Sequence, residues 1–86
     1  MKYHIPENQK PLDELYVALS RDKKGNEGII STIIPEMGAM PMVFGNQKMI
    51  NNFKDFLKQV ARDTGQDIYI MKYKDREVIE HIIGSH

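Results

Sequence analysis

The chain of 86 residues contains no cysteine and no tryptophan. The absence of cysteine excludes disulfides, thiolate zinc sites and thiol nucleophiles, and it fits a reducing compartment. Acidic and basic side chains balance at 12 each, so no overall charge attracts the chain to nucleic acid or to a lipid surface. We therefore expect a cytoplasmic protein without a nucleic-acid partner.

Long apolar runs are missing as well. No segment approaches the roughly 20 apolar residues that cross a bilayer, and the first residues lack the basic and apolar regions of a secretory signal. We therefore expect neither export nor a membrane partner. Hydrophobic residues still make up 41% of the chain, which is enough for a globular domain, although a chain this short forms only a thin core.

One α+β domain is predicted over residues 1–83. Pro6 and Pro11 stand among polar residues without any period, which indicates an extended arm over residues 1–12. Residues 84–86, with the sequence Gly-Ser-His, are interpreted as the remnant of a purification tag.

The first half of the chain has the pattern of strands. Residues 15–20 alternate between two sets of side chains with the two-residue period of a strand, and Gly25 supplies the positive φ of a short hairpin turn. Residues 27–34 are rich in β-branched side chains on both faces, which predicts a central strand. Residues 40–44 predict a third strand, in which Pro41 favours an edge or a bulge.

The second half begins with the longest predicted helix. Asn46 is a good N-cap, Gly65 suits the C′ position, and apolar residues recur between them at helical spacing. Residues 67–73 alternate as a fourth strand, and residues 75–83 are predicted to form a terminal helix with an apolar stripe. The predicted fold is α+β in the order β-β-β-α-β-α: a small, mostly antiparallel sheet, one long amphipathic helix and a short C-terminal helix.

One long helix covers only one side of such a sheet, so apolar residues on the other side need a cover. The residues assigned to that side are Tyr16, Ile30, Ile34, Tyr69 and Tyr73. The cover is either the terminal helix or an identical subunit across a two-fold axis. We expect the protein to bind itself as a homodimer or higher oligomer, held partly by residues 69–73 or by the stripe at 78–83.

No arrangement of catalytic residues is recognisable in the sequence. Outside the tag remnant, histidine occurs only as His4 and His81, and no serine lies in a nucleophile-elbow pattern. Glu77 and His81 stand four residues apart, a spacing that would let both side chains reach one metal ion from a helix face. Two ligands do not complete a site, so a surface pair is the preferred interpretation. We assign no catalytic residue, no metal and no cofactor, and a non-enzymatic role is favoured over an enzyme.

The segment before the long helix carries the candidate ligand-binding residues. Gly45 and Asn46 open the helix with free backbone N–H groups, and Lys48 adds a positive charge in the first turn, which together favour a phosphate or carboxylate. Met40 and Met42 precede this turn and offer flexible thioethers to an aromatic base. The competing interpretations are an ordinary capped helix and methionines that fill gaps in the core.

Lys54, Lys58 and Arg62 form a basic stripe along the polar side of the helix. A phosphate-binding surface and a solvated surface both fit this pattern. Acidic residues lie between the basic ones and the net charge is zero, so the solvated surface is the preferred interpretation.

Three functions are compatible with these patterns. The leading hypothesis is a non-enzymatic oligomeric protein that binds and sequesters a small anionic ligand such as a nucleotide, as small accessory proteins of phages and bacteria do. The alternative is a protein-protein interaction module, an inhibitor or adaptor, that uses an uncovered sheet face or an edge strand. A small enzyme without a recognisable motif is third. A cleft with converging cations favours the first hypothesis, and a flat apolar patch favours the second.

Overall fold

The structure of the protein is a computed structural model, which describes residues 3–84. Its elements in chain order are β1 (Leu15–Arg21), β2 (Glu27–Ile29), β3 (Ser31–Ile34), β4 (Gly38–Pro41), β5 (Val43–Phe44), α1 (Gln47–Asn51), α2 (Lys54–Thr64) and β6 (Asp67–Tyr73). The α+β class with a small antiparallel sheet and one longer helix is confirmed. No helix within residues 3–84 is both long and apolar enough to cross a membrane.

The chain before β1 has no regular structure from residue 3 to residue 14, and most of it is exposed. This segment contains most of the predicted extended arm, whose first two residues lie outside the described part of the chain. The predicted tag remnant also lies outside it, except for Gly84.

β1 is the central strand of the sheet. β6 pairs antiparallel with one edge of β1 along its whole length, with Leu15 opposite Tyr73 at one end. β2 and β5 share the other edge, and both are antiparallel to β1. The prediction that residues 27–34 form the central strand is therefore wrong, because that segment divides at Ile30 into β2 at an edge and β3, which leaves the sheet.

Three backbone hydrogen bonds accompany this division. Ile30 N–H donates to the Ala18 carbonyl oxygen at 3.0 Å, and Met42 N–H donates to the Ile30 carbonyl oxygen at 2.8 Å. Ala18 N–H donates to the Met42 carbonyl oxygen at 3.1 Å, which closes a ring of hydrogen bonds that we call the junction. All three residues are buried, and the ring gives each of their backbone polar groups a partner away from water.

Beyond the junction, β3 and β4 pair with each other and project from the sheet. We call residues 31–41 the hairpin arm. Ser31 lies opposite Pro41 at its base, and the turn at its tip uses a φ of 84° at Gly38, which glycine adopts without a steric penalty. Most of the hairpin arm is exposed, and the Ile33 side chain is 77% exposed.

The predicted long helix is divided into α1 and α2. Asn46 caps α1 as predicted, since its side-chain Oδ1 accepts the Met49 N–H at 2.9 Å. The division comes at Asn52 and Phe53, whose N–H groups donate to carbonyl groups three residues earlier at 3.2 and 3.0 Å, a tighter turn than that of the α-helix. Consecutive asparagines favour such local turns. The Phe53 ring stacks on Phe44, with the ring centroids 5.2 Å apart.

Gly65 ends α2 at the predicted position. Its φ is 71°, in the left-handed region, and its N–H donates to the Ala61 carbonyl oxygen at 2.9 Å. This bond satisfies one of the carbonyl groups that the last turn of a helix leaves free. β6 follows at once and has the bounds predicted for the fourth strand, residues 67–73.

The core lies between the helices and one side of the sheet. It consists of Tyr16, Ala18, Ile30, Met42, Ile50 and Leu57, with Phe44, Phe53 and Ile68 packed against them. The assignment of Tyr16 and Ile30 to the uncovered side is therefore wrong, and so is that of Ile34, which lies in β3 outside the four-stranded sheet. The small side chain of Ala18 leaves room for the helix residues above the centre of β1.

The predicted C-terminal helix is absent, because residues 74–84 contain neither helix nor strand. The side chains of its predicted stripe are between 80% and 91% exposed: Val78, Ile79, Ile82 and Ile83. β-Branched residues have low helix propensity, and an isolated helix shorter than about 12 residues is marginal without tertiary packing. The second helix of the described chain is α1, which precedes α2 instead of following β6.

Leu57→Ala is expected to lower the free energy of unfolding by about 2–5 kcal/mol, because Leu57 is 4% exposed within the core. Equilibrium denaturation in urea measures the change. Phe56→Ala is the matched control, since Phe56 is adjacent and larger but 37% exposed, and it should lose less. An equal or larger loss for Phe56→Ala would show that α2 is rotated about its axis.

Candidate functional site

The five predicted ligand-binding residues lie in three separate places. Gly45 and Asn46 line a groove of about 720 Å³ beside the N-terminal segment. Met40 and Met42 line a different depression of about 320 Å³. Lys48 lines neither and is exposed on α1. One chain therefore does not bring the five residues together.

The larger of these two spaces, which we call the arm groove, lies between the N-terminal segment and the start of α1. Pro6, Lys10 and Leu12 contribute to the wall formed by that segment. A Cβ atom at Gly45 would lie 2.8 Å from Leu12 Cδ1, so glycine allows the segment to approach this closely. Lys10 contributes a positive charge to the lining, and the volume is within the range of about 300–1,000 Å³ that small-molecule sites occupy.

The start of α1 attracts an anion only weakly by itself. The Asn46 Oδ1 atom already accepts a hydrogen bond from Met49 N–H at 2.9 Å. α1 has 5 residues, so few aligned peptide dipoles contribute to the field at its N-terminus. An anionic ligand here would depend on Lys10 more than on the helix.

The two candidate methionines have different environments. Met42 is 3% exposed and belongs to the core and the junction. Met40 lies on β4 in the hairpin arm and is 49% exposed. Met42 therefore fills the core, which was one of its two interpretations, and Met40 is the one whose thioether is available to a ligand or partner.

An apolar surface covers the side of the sheet opposite the helices. We call it the open face, and its residues are Leu15, Val17, Leu19, Ile29, Val43, Tyr69, Met71 and Tyr73. Directly opposed residues of antiparallel strands point to the same side of a sheet. Leu19, for example, lies opposite Ile29 on one edge and Tyr69 on the other. No residue of the open face belongs to the core beneath the helices.

The open face has a sheltered centre and an exposed border. Val17 and Leu19 are each 6% exposed, and residues of neighbouring strands lie opposite them on both edges of β1. Ile29 and Tyr73 are 54% and 50% exposed. An apolar patch of this kind, partly exposed at its border, is typical of protein-protein interaction surfaces.

Tyr69 and Tyr73 lie on the open face, as the sequence pattern predicts, but the pattern does not identify Val17 and Leu19 as the residues of β1 on this face. Val17 and Leu19 alternate with Tyr16 and Ala18, and both sets are apolar enough to face a core. Residue size was the available signal. The small Ala18 marks the side on which helices have room to pack.

Charged side chains border the open face at the end of β1 that carries Arg21. The Arg21 guanidinium donates to Glu27 Oε2 at 2.9 Å and lies 4.0 Å from the centroid of the Tyr69 ring. The hydrogen bond to Glu27 raises the pKa of Arg21. Asp67 lies opposite Arg21 on the other edge. The apolar surface therefore stops at a row of three charged residues: Glu27, Arg21 and Asp67.

Glu14 joins three side chains near the other end of β1. The Tyr16 hydroxyl donates to Glu14 Oε2 at 2.7 Å, and the Nζ atoms of Lys72 and Lys74 lie 3.4 and 3.9 Å from Glu14 Oε1. The hydrogen bond from Tyr16 is the main cause that lowers the pKa of Glu14, and the same bond raises the pKa of Tyr16. These contacts connect the segment before β1 to the end of β6.

The part of the chain from residue 3 to residue 84 contains no group of three or more histidine, aspartate or glutamate side chains that could hold a metal ion. Glu77 and His81 are exposed in the segment after β6, which has no regular structure. Their helical spacing therefore does not place them on one helix face.

Comparison with known proteins finds no relative: no family model, no curated protein and no solved structure matches the chain. The open face and the arm groove are therefore the two features from which a function can be inferred.

Tyr16→Phe is expected to change how stability depends on acid. The pKa of Glu14 is lowered in the folded protein, so its carboxylate stabilises the fold at pH values above its ordinary pKa of 4.5. This stabilisation is lost as the pH falls through the pKa of the folded state. Removing the hydroxyl raises that pKa toward the ordinary value. The variant should therefore be less stable than the parent at neutral pH, and the difference should narrow on acidification.

Melting temperatures across the acid range measure this difference. Tyr69→Phe is the control, because the Tyr69 ring lies beside Arg21 and not beside Glu14. A difference between the parent and Tyr16→Phe that stays constant with pH would contradict the prediction. On the alkaline side, the raised pKa of Tyr16 means that its protonated hydroxyl stabilises the fold fully at pH values below its ordinary pKa of 10.0. This stabilisation is lost as the pH rises through the pKa of the folded state.

Proposed function

We propose that this protein is a cytoplasmic, non-enzymatic protein-protein interaction module whose docking surface is the open face. The observation that carries the proposal is the exposure of apolar side chains on that face: Leu15 at 37%, Val43 at 38%, Tyr73 at 50% and Ile29 at 54%. A partner that covers these side chains removes apolar area from water, which is the main driving force of association.

The overall shape supports a role in which a partner completes the burial. The radius of gyration is 15.5 Å, compared with about 12 Å for a compact domain of this length. The hairpin arm and the segments before β1 and after β6 account for exposed chain beyond the sheet and helices. A chain with a thin core and this much exposed apolar surface gains stability when another protein binds it.

The open face also indicates the chemistry of the partner. Its centre is aliphatic, without a charged group, and Tyr69 and Tyr73 belong to the residue types that dominate binding energy at interfaces. Arg21, Glu27 and Asp67 stand at one end, where they offer polar contacts that orient a partner. We therefore expect a protein surface with an apolar centre and polar groups toward one side.

Ile29→Glu is expected to abolish partner binding, because a docked partner would bury an unpaired carboxylate. Ile33→Glu is the matched control, since Ile33 is 77% exposed but lies on the hairpin arm. Each form is purified from its own host and weighed by native mass spectrometry. We expect a partner chain in stoichiometric amount with the parent and with Ile33→Glu, but not with Ile29→Glu. Equal retention by all three, or no retained chain, would contradict the proposal.

A small anionic ligand in the arm groove is the second candidate, and the size of that groove favours it. Lys10 supplies a positive charge in the lining, and the lining also includes Met49, which is 48% exposed. A phosphorylated ligand such as a nucleotide would place its phosphate near Lys10 and Gly45 and its base against the Met49 thioether. In this arrangement Met49, and not Met40 or Met42, packs against the base.

Nucleotide binding in the arm groove is expected to stabilise the fold by about 2.7 kcal/mol at a hundredfold excess over the dissociation constant. Lys10→Glu should remove this gain, whereas Lys48→Glu, outside the groove, should reduce it less. Both lysines are exposed, so the ligand-free melting temperature should change little. A thermal-shift screen of mono-, di- and cyclic nucleotides provides the test. No shift in the parent, or a full shift in Lys10→Glu, would exclude this site.

A further inference from the structure

β6 is an edge strand. Among residues 3–84, β1 is its one strand partner, and the other edge of β6 pairs with no strand. Such an edge offers a row of backbone N–H and C=O groups to another chain. β6 has 7 residues, without proline, glycine or a break in its register with β1. The opposite edge of the sheet is instead divided between β2 and β5 by the junction.

The junction shows which backbone groups of β6 point outward. The N–H and C=O groups of Ala18 bond toward the edge that β2 and β5 share. Successive residues of a strand direct these groups to alternate edges, so those of Val17 and Leu19 point toward β6. Met71 and Tyr69 lie opposite them, and each of these pairs therefore exchanges two N–H···O=C hydrogen bonds. The residues of β6 that alternate with Tyr69 and Met71 direct their backbone N–H and C=O groups away from β1.

Ile68, Ile70 and Lys72 therefore present their N–H and C=O groups at the outer edge. An antiparallel copy of β6, related by a two-fold axis perpendicular to the sheet, uses all of these groups in one register. In that register Ile70 lies opposite Ile70 of the second copy, and Ile68 lies opposite its Lys72. A shift to either neighbouring symmetric register leaves some of these groups unpaired.

The charges along β6 suit this antiparallel arrangement. The strand begins with the acidic Asp67, whereas its other end carries Lys72 and is followed by Lys74. Antiparallel pairing brings the acidic end of one copy near the basic end of the other, whereas parallel pairing would bring the two basic ends together. Asp67 lies on the open-face side and Lys72 on the helix side, so the attraction acts between the strand ends and not between directly opposed side chains. Glu14 contacts both lysines, at 3.4 and 3.9 Å, and offsets part of the positive charge.

Apolar surface is available beside the same edge. A groove of about 290 Å³ lies between α2 and β6, and it is lined by Lys54, Leu57, Lys58, Ala61, Ile68 and Ile70. Ile70 is 39% exposed although it points to the helix side of the sheet. A second Ile70 placed opposite it would cover part of this exposed side chain. The two lysines have long flexible stems that keep their charges in water.

We propose that two copies of the chain pair along β6 in an antiparallel, two-fold symmetric strand interface centred on Ile70. The two sheets join into one continuous sheet with both open faces on the same side. An interface of one strand per copy is smaller than the roughly 800 Å² per partner of a standard complex, so we expect a weak dimer that dissociates on dilution. The inference does not depend on the partner proposed for the open face, because Ile70 points to the other side.

The symmetry at Ile70 supplies the test. Ile70→Lys and Ile70→Glu each place like charges opposite each other in a homodimer, so the dissociation constant of each should rise about tenfold or more. An equimolar mixture places lysine opposite glutamate and should restore dimerisation. Sedimentation velocity separates the dimer from the 10.0 kDa chain. The matching pair Ile33→Lys and Ile33→Glu, on the hairpin arm, should dimerise like the parent.

Single cysteines test the register, because the chain has none of its own. Opposed residues in a hydrogen-bonded antiparallel pair have Cα atoms about 5.5 Å apart, which suits a disulfide. Ile70→Cys should form a covalent dimer under mild oxidation faster than Tyr69→Cys or Met71→Cys, which oppose each other. The cross-linking test uses only the cysteine variants, so it remains valid even where Ile70→Lys or Ile70→Glu does not fold.

Three outcomes would overturn the proposal: a parent that stays monomeric, a mixture that dimerises no better than either charged variant, or cross-linking that favours Tyr69→Cys or Met71→Cys. Ile29→Glu should dimerise like the parent, since Ile29 lies on the open face. Loss of partner binding and loss of the dimer are therefore separate results.

Discussion

The ring of hydrogen bonds among Ala18, Ile30 and Met42 is the constraint on which the rest of the structure depends. It lies at the buried centre of β1, where Ala18 is 0% exposed. A buried backbone N–H or C=O group that loses its partner costs about 1–3 kcal/mol, so opening the ring would affect several groups at once. Because the segments at Ile30 and Met42 both bond to Ala18 and also to each other, they leave β1 together as the paired strands of the hairpin arm.

The same ring determines what the two faces and the two edges of the sheet can do. By directing the backbone of Ala18 to one edge, it assigns the outward groups of β6 to Ile68, Ile70 and Lys72. By holding Ile30 and Met42 on the helix side, it helps to enclose the core and leaves Val17 and Leu19 on the open face, outside that core. The open face and the edge of β6 therefore lie on different parts of one sheet. A dimer formed along β6 leaves both open faces accessible, and two patches on one side give a bivalent surface for a partner.

The predicted C-terminal helix and the grouping of the five candidate ligand residues both assumed contacts that are not in the sequence pattern. The apolar stripe of residues 75–83 predicts a helix only where another surface receives it, and the described chain offers none to that segment. The five candidate ligand residues were chosen because they are close in sequence. Folding places Met42 in the core, Met40 on the hairpin arm and Lys48 on α1, since the chain passes through the junction and a helix cap between them.

The sequence by itself determined the features whose causes are local. The cap at Asn46, the left-handed glycine at Gly65 and the strand at residues 67–73 each follow from residues within a few positions of one another. Only the tertiary structure decided which strand is central, which face stays open and which edge is free. Those properties depend on hydrogen bonds between Ala18 and residues far along the chain, and alternation alone does not say which of two apolar sets a helix will cover.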